Sequence, residues 1–103
     1  MTLTFAPDDN REYFQKMIGK LYKILPICEH QLDTKQAYIE SLMRELHGSL
    51  YTIDNAHDRT QCMTVINTLM YLSVADYDPD IYRSEVFKCI RIVGNIGGEL
   101  HGL

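Results

Sequence analysis

From Thr60 to Ala75 the chain reads TQCMTVINTLMYLSVA, a run without a charged residue, bounded by Arg59 and Asp76. Within it Cys62, Val65, Ile66, Leu69 and Leu72 recur at intervals of three and four, so they share one face of an α-helix. Met63, Met70 and Val74 widen that apolar arc to about half the circumference at roughly 100° per residue. The remaining arc is Thr60, Gln61, Thr64, Asn67, Thr68 and Tyr71, all neutral. A bundle helix ordinarily keeps one solvated, charged side. This one has none, so it is expected either at the centre of its own monomer or against a second molecule. Its length and its Thr, Asn, Gln and Ser content do not suit a bilayer span.

The same period of about 3.6 runs through the rest of the chain, and no segment alternates with period two. Phe14, Met17, Ile18, Leu21 and Leu25 form a stripe that begins after Asp8, Asp9 or Asn10 as possible caps and stops at Pro26, with Lys16, Lys20 and Lys23 opposite. Asp33 and Gln36 have capping-box spacing ahead of a second helix. Its stripe is Ile39, Leu42, Met43, Leu46, Leu50 and Ile53, with Glu40, Arg44, His47 and Tyr51 on the other side and Glu40 spaced to pair with Arg44. The short turn at 54–57 favours an antiparallel neighbour. After an acidic loop, Asp80 is the expected cap of a last helix with core positions Tyr82, Val86, Cys89, Ile90 and Val93, edge positions Ile92 and Ile96, and Phe87 off the stripe. Gly97-Gly98 ends it. The expectation is an all-α antiparallel bundle of about four helices, near 9–25, 34–53, 58–75 and 80–97. It forms a single domain over 1–103, with an arm at 1–7 and a short tail at 98–103.

A chain of 103 residues supports one domain. The formal net charge is −4, with mildly basic ends and an acidic middle, which disfavours a nucleic-acid partner and suits self-complementary packing. The three cysteines, Cys28, Cys62 and Cys89, are odd in number and far apart, so they are no disulfide framework. Reduced thiols, together with an N-terminus MTLTFAPDDN lacking a basic and apolar leader, lead to the expectation of a soluble cytoplasmic protein.

The chemistry-bearing residues do not assemble into a motif. Asp76-Tyr77-Asp78-Pro79-Asp80 opens like a calcium loop, but Ile81 and Phe87 stand where Gly and Glu are required. His30, His47, His57 and His101 form no H-x-x-x-H or Glu-x-x-His pair, so no metal site is expected. Leu46-His47-Gly48-Ser49 is superficially similar to the accepting segment of histidine phosphotransfer domains. That family places Lys three and Gly four residues after the His, where this chain has Leu50 and Tyr51; around His57 the same positions hold Thr60 and Gln61. Cys62 and Cys89 face the expected core, where a thiol is inert, and Cys28 sits in the 26–33 connection beside Glu29, which opposes a thiolate. There are no expected catalytic residues and no cofactor.

What remains is surface suited to contact, since charge depletion with Tyr and Met enrichment marks interface cores. The expected interface is Thr60, Thr64, Asn67, Thr68 and Tyr71 on the third helix, with Phe87 on the fourth as second choice. The expected function is a non-catalytic protein acting by protein–protein contact, as a homodimer or on another protein: a regulator, an anti-activator or an immunity- or antitoxin-type protein. Bacteriocin-immunity proteins are similar in architecture alone. The competing reading is a helical bundle that binds a small ligand or a metal, or a phosphotransfer-like signalling domain.

Overall fold

The computed structural model describes residues 7–98, with side chains described from 12 to 96. The expected arm over 1–6, the tail beyond Gly98 with His101, and the side chains of Asp8, Asp9 and Asn10 lie outside the described residues. The architecture is an all-α bundle. Its elements are α1 (Pro7–Tyr22), α2 (Ile24–His30), α3 (Lys35–Ser49), α4 (Ala56–Val74) and α5 (Pro79–Gly98), with 3-10 turns at Leu32–Thr34 and Leu50–Thr52.

Consecutive long helices run antiparallel. Tyr38 Oη on α3 donates to Lys20 O on α1 at 2.7 Å, and Lys20 Nζ reaches Glu45 at 2.9 Å. Lys35 at the start of α3 meets Leu72 near the end of α4, while Leu46 lies beside Cys62. Tyr82 at the start of α5 likewise meets Leu72. The ring is closed by α1 against α5: Tyr22 packs edge-on to Phe87, and Ile18 Cδ1 lies 3.8 Å from where a Cβ at Gly94 would stand. Inside sits one apolar cluster in which Leu21, Ile24, Ile39, Leu46, Cys62, Val65, Ile66, Leu69, Leu72, Tyr82, Val86, Cys89 and Val93 are completely covered.

The sequence stripes of the last two helices therefore reach the core, and five local expectations need correction. Pro26 does not end the ordered helical region. It stands in the first turn of α2, where a missing N–H costs least. The break comes four residues earlier, because Tyr22 O, the carbonyl an N–H at 26 would have bonded, must clear the proline ring. The chain bends at Lys23 and resumes, which carries Ile24 and Cys28 into the core. Cys28 is thus a buried helical residue and not a loop cysteine.

The capping box at Asp33 and Gln36 does not form. Thr34 precedes α3 with no side-chain cap, and its hydroxyl turns back to Gln31 O at 2.8 Å. Glu40 accepts from Gln36 Nε2 at 3.1 Å in place of the expected pair with Arg44. The α5 cap is Asp78, not Asp80: Asp78 Oδ1 accepts from the Asp80 and Ile81 N–H groups at 3.0 and 3.1 Å, with Pro79 in the first helical position it favours.

Candidate interaction surface

Asn55 starts α4, its Oδ1 accepting from Asp58 N at 3.1 Å. Arg59 Nη1 donates to Ile53 O at 2.7 Å and to Asp54 O at 2.9 Å, which fixes the incoming loop against the first turn. Between these anchors and Ala75 the helix passes α3 on one flank and α5 on the other, burying Cys62, Val65, Ile66, Leu69, Leu72 and Ser73.

The opposite face is open. At about 100° per residue, Ala56, Thr60, Met63, Thr64, Asn67, Met70, Tyr71 and Val74 lie within roughly 60° of the Asn67 direction. None of the eight is charged, and none is buried. Met70 and Tyr71 are each 51% exposed and Val74 is 72% exposed. Met70 and Val74, read from the sequence as widening the core arc, therefore face outward, because no helix of the described fold covers that side of α4. Of the expected interface residues, Thr60, Asn67 and Tyr71 are exposed and Thr64 and Thr68 half-buried.

The polarity of this face is lower than its sequence suggests. Thr60, Thr64 and Thr68 each donate the hydroxyl proton to the carbonyl four residues back, at 3.1, 3.1 and 3.0 Å. They hold no free donor for a partner. Asn67 is the side chain on the face with an uncommitted amide among the described residues.

Phe87 lies elsewhere. It is 39% exposed on α5 and packs edge-on against Tyr22, with ring centroids 5.6 Å apart. The structure thus splits the expected interface residues: Thr60, Thr64, Asn67 and Tyr71 share the outer face of α4, Thr68 stands half-buried at its edge, and Phe87 lies with Tyr22 on a separate surface.

At the C-terminal end of α4 the face runs into an open groove of about 380 Å³ between the 3-10 turn and the α4–α5 loop, lined among others by Leu32, Asp33, Val74, Asp76 and Tyr77. Leu32, 49% exposed, extends the apolar surface across it. Lys35 also borders the groove, but its ammonium is turned inward. Nζ donates to Leu72 O, Ala75 O and Tyr82 Oη at 2.9, 2.7 and 2.7 Å, which uses all three of its protons. The groove has no cation left to hold an anionic ligand. Lys35 was the residue sequence reasoning missed, since a lysine reads as surface unless its partners are known.

The remaining chemical groups stay apart. Cys28, Cys62 and Cys89 are free and buried. Burial pushes the Cys62 thiol up to about 11 and Cys89 to about 12, and raises Cys28, which the Lys35 ammonium partly offsets. None has the lowered value of a nucleophile. His47 and His57 are exposed, and His30 stands 3.7 Å from its neighbour Glu29 on the surface. Among the described residues no three His, Cys, Asp or Glu side chains gather where they could hold a metal ion, and no helix is long and apolar enough to cross a membrane.

Comparison with protein families, with curated proteins and with solved structures finds no significant match.

Proposed function

We propose that this chain is a small non-catalytic cytoplasmic protein that works through protein–protein contact, as a homodimer joined through the outer face of α4, in the manner of a regulator, anti-activator or immunity- or antitoxin-type protein. One observation carries the reading: Met70, Tyr71 and Val74 stand exposed in line on a helix without charge from Thr60 to Ala75. An aligned apolar surface with no charge to solvate it favours cover by a partner. Three free, buried thiols support a reducing compartment.

Light scattering over a concentration series tests the reading directly. The wild type is expected to be a dimer, and Tyr71→Arg a folded monomer with an unchanged circular-dichroism spectrum. A wild type that is monomeric at every concentration removes the homodimer. A dimer untouched by Tyr71→Arg removes the α4 face.

A further inference from the structure

The groove at the C-terminal end of α4 differs from the neutral face beside it. Its walls are the 3-10 turn at Leu32–Thr34 and the α4–α5 loop, and each contributes an acid, Asp33 from the turn and Asp76 from the loop. Both residues are exposed, and among the described residues neither side chain has an ion pair or a hydrogen bond. Lys35, the cation at the border, has all three protons on Leu72 O, Ala75 O and Tyr82 Oη, so it has none to offer them. The Tyr77 phenol registers the same sign of field. Burial first and then the Glu29 carboxylate raise it, and Arg83 offsets them only in part. The groove therefore carries negative charge that the chain leaves uncompensated.

The same groove is also lined by apolar groups. Leu32 is 49% exposed and Val74 is 72% exposed, and the half-buried Tyr77 ring is held edge-on to Tyr82 with centroids 5.1 Å apart. A hydrated metal ion has no use for such a surface, whereas a guanidinium does. It is planar and weakly hydrated, stacks on aromatic rings, and binds carboxylates through directed N–H groups. Its aliphatic stem can lie along Leu32 or Val74 while the head stays near water. A lysine ammonium is a strongly hydrated point charge and gains less here. At about 380 Å³ the groove holds one such side chain, and because it is open it suits a side chain presented by a polypeptide better than an enclosed small molecule.

We propose that this groove receives an arginine-bearing, otherwise apolar segment of a second protein, with the guanidinium on Asp33 and Asp76 and the flanking side chains on Leu32, Val74 and Tyr77. The proposal goes beyond the contact across the outer face of α4 and does not depend on it, since Leu32, Asp33, Asp76 and Tyr77 all lie outside that helix.

The tripeptide Leu-Arg-Leu, acetylated and amidated at its ends, tests this in an NMR titration of the full-length protein. The expected result is a set of amide shifts centred on Leu32, Asp33, Asp76 and Tyr77. Citrulline in place of the arginine keeps the shape and removes the charge, and is expected to bind about tenfold more weakly. Asp33→Asn and Asp76→Asn should each weaken the arginine peptide at least about fivefold. Glu12→Gln, which removes an exposed acid on α1, should leave it unchanged. No shift at these residues at about 10 mM peptide would overturn the proposal. So would a citrulline peptide that binds equally well, or a Glu12→Gln protein weakened as much as Asp76→Asn, which would show only the general field of an acidic chain. A Leu-Lys-Leu peptide as tight as Leu-Arg-Leu would overturn the choice of a guanidinium. The oligomeric state is read separately by light scattering, so the groove and the α4 contact can fail independently.

Discussion

Lys35 Nζ donates to Tyr82 Oη at 2.7 Å, and the two groups converge on the last carbonyls of α4. Lys35 bonds Leu72 O and Ala75 O; Tyr82 Oη lies 2.8 and 2.6 Å from the same two oxygens and can donate its single proton to one of them. The ammonium also stands 5.1 Å from the Tyr82 ring centroid. A cation at this point complements the negative end of the α4 dipole and satisfies carbonyls that the helix itself leaves unpaired. One lysine so joins the start of α3, the end of α4 and the start of α5. Lys35→Met keeps most of the buried stem and removes all three hydrogen bonds. The expected cost is about 2 kcal/mol, or ~10 °C in Tm. Tyr82→Phe is expected to cost about 1 kcal/mol. Because the two residues share partners, the double variant should lose less than the sum. Urea denaturation measures all three, and a Lys35→Met protein as stable as the wild type would show that the cluster adds nothing to stability.

Tyr13 makes the opposite prediction. Its hydroxyl is buried and has no hydrogen-bond partner. Ser49, the neighbour whose hydrogen-bonding influence lowers the phenol, donates its own proton to Leu46 O at 2.9 Å, and its oxygen stands outside bonding geometry to Tyr13. Burial, then the Glu45 carboxylate, push the Tyr13 phenol up to about 12, against a smaller opposing effect of Ser49. Tyr13→Phe keeps the ring, and with it the edge-on contact with Phe14 at 5.0 Å, while removing an unsatisfied oxygen. It is expected to be neutral or stabilising by up to about 1 kcal/mol. A clear loss of stability in urea would mean that the hydroxyl is bonded after all.

The core was legible where period alone decides it. Cys62, Val65, Ile66, Leu69 and Leu72 are all fully covered, as are Tyr82, Val86, Cys89 and Val93. The stripes did not show which outer positions lack a neighbour. Met70 and Val74 are as apolar as the core, and only the absence of a covering helix puts them outside. Lys35 was invisible for a different reason: its acceptors lie 37 and 40 residues away on the backbone and leave no trace in side-chain pattern. The Asp78 cap could have been found, because the following Pro79 marks a first helical position. Pro26 carried the same kind of signal and was read as a stop where it opens a new turn.

The buried thiols set the alkaline limit of stability. Cys62 and Cys89 have folded values raised to about 11 and about 12 from an ordinary 9.0, mainly by burial. A group whose value is raised in the fold holds its proton more tightly there than in the unfolded chain. Its stabilising contribution is therefore complete below pH 9 and is lost as pH rises from 9 towards 12. Tyr13 adds to the loss over its own interval from 10.0 to about 12. Urea midpoints are expected to hold steady on the acid side of this window, as far as these groups are concerned, and to fall within it. The native thiols should also resist Ellman's reagent at pH 8 until urea exposes them. Rapid labelling of all three cysteines in the folded protein would contradict their burial.

Phe87 decides between the two exposed surfaces. It and Tyr22 are 39% and 46% exposed, yet they touch each other, so much of their apolar area is already covered within the chain. The α4 stripe has no such internal partner for Tyr71 or Val74 among the described residues. Arg83 and Arg91, four residues to either side of Phe87 and so on the same face of α5, are exposed, and this side therefore carries the charges that α4 lacks. Desolvating those charges would oppose a contact here. Phe87→Ala is accordingly expected to cost about 1 kcal/mol through the lost aromatic pair. The more disruptive Phe87→Arg should leave the oligomeric state of the wild type unchanged in light scattering. If Phe87→Arg gives a folded monomer while Tyr71→Arg does not, the contact surface is the α1–α5 side, and the neutral run on α4 needs a different explanation.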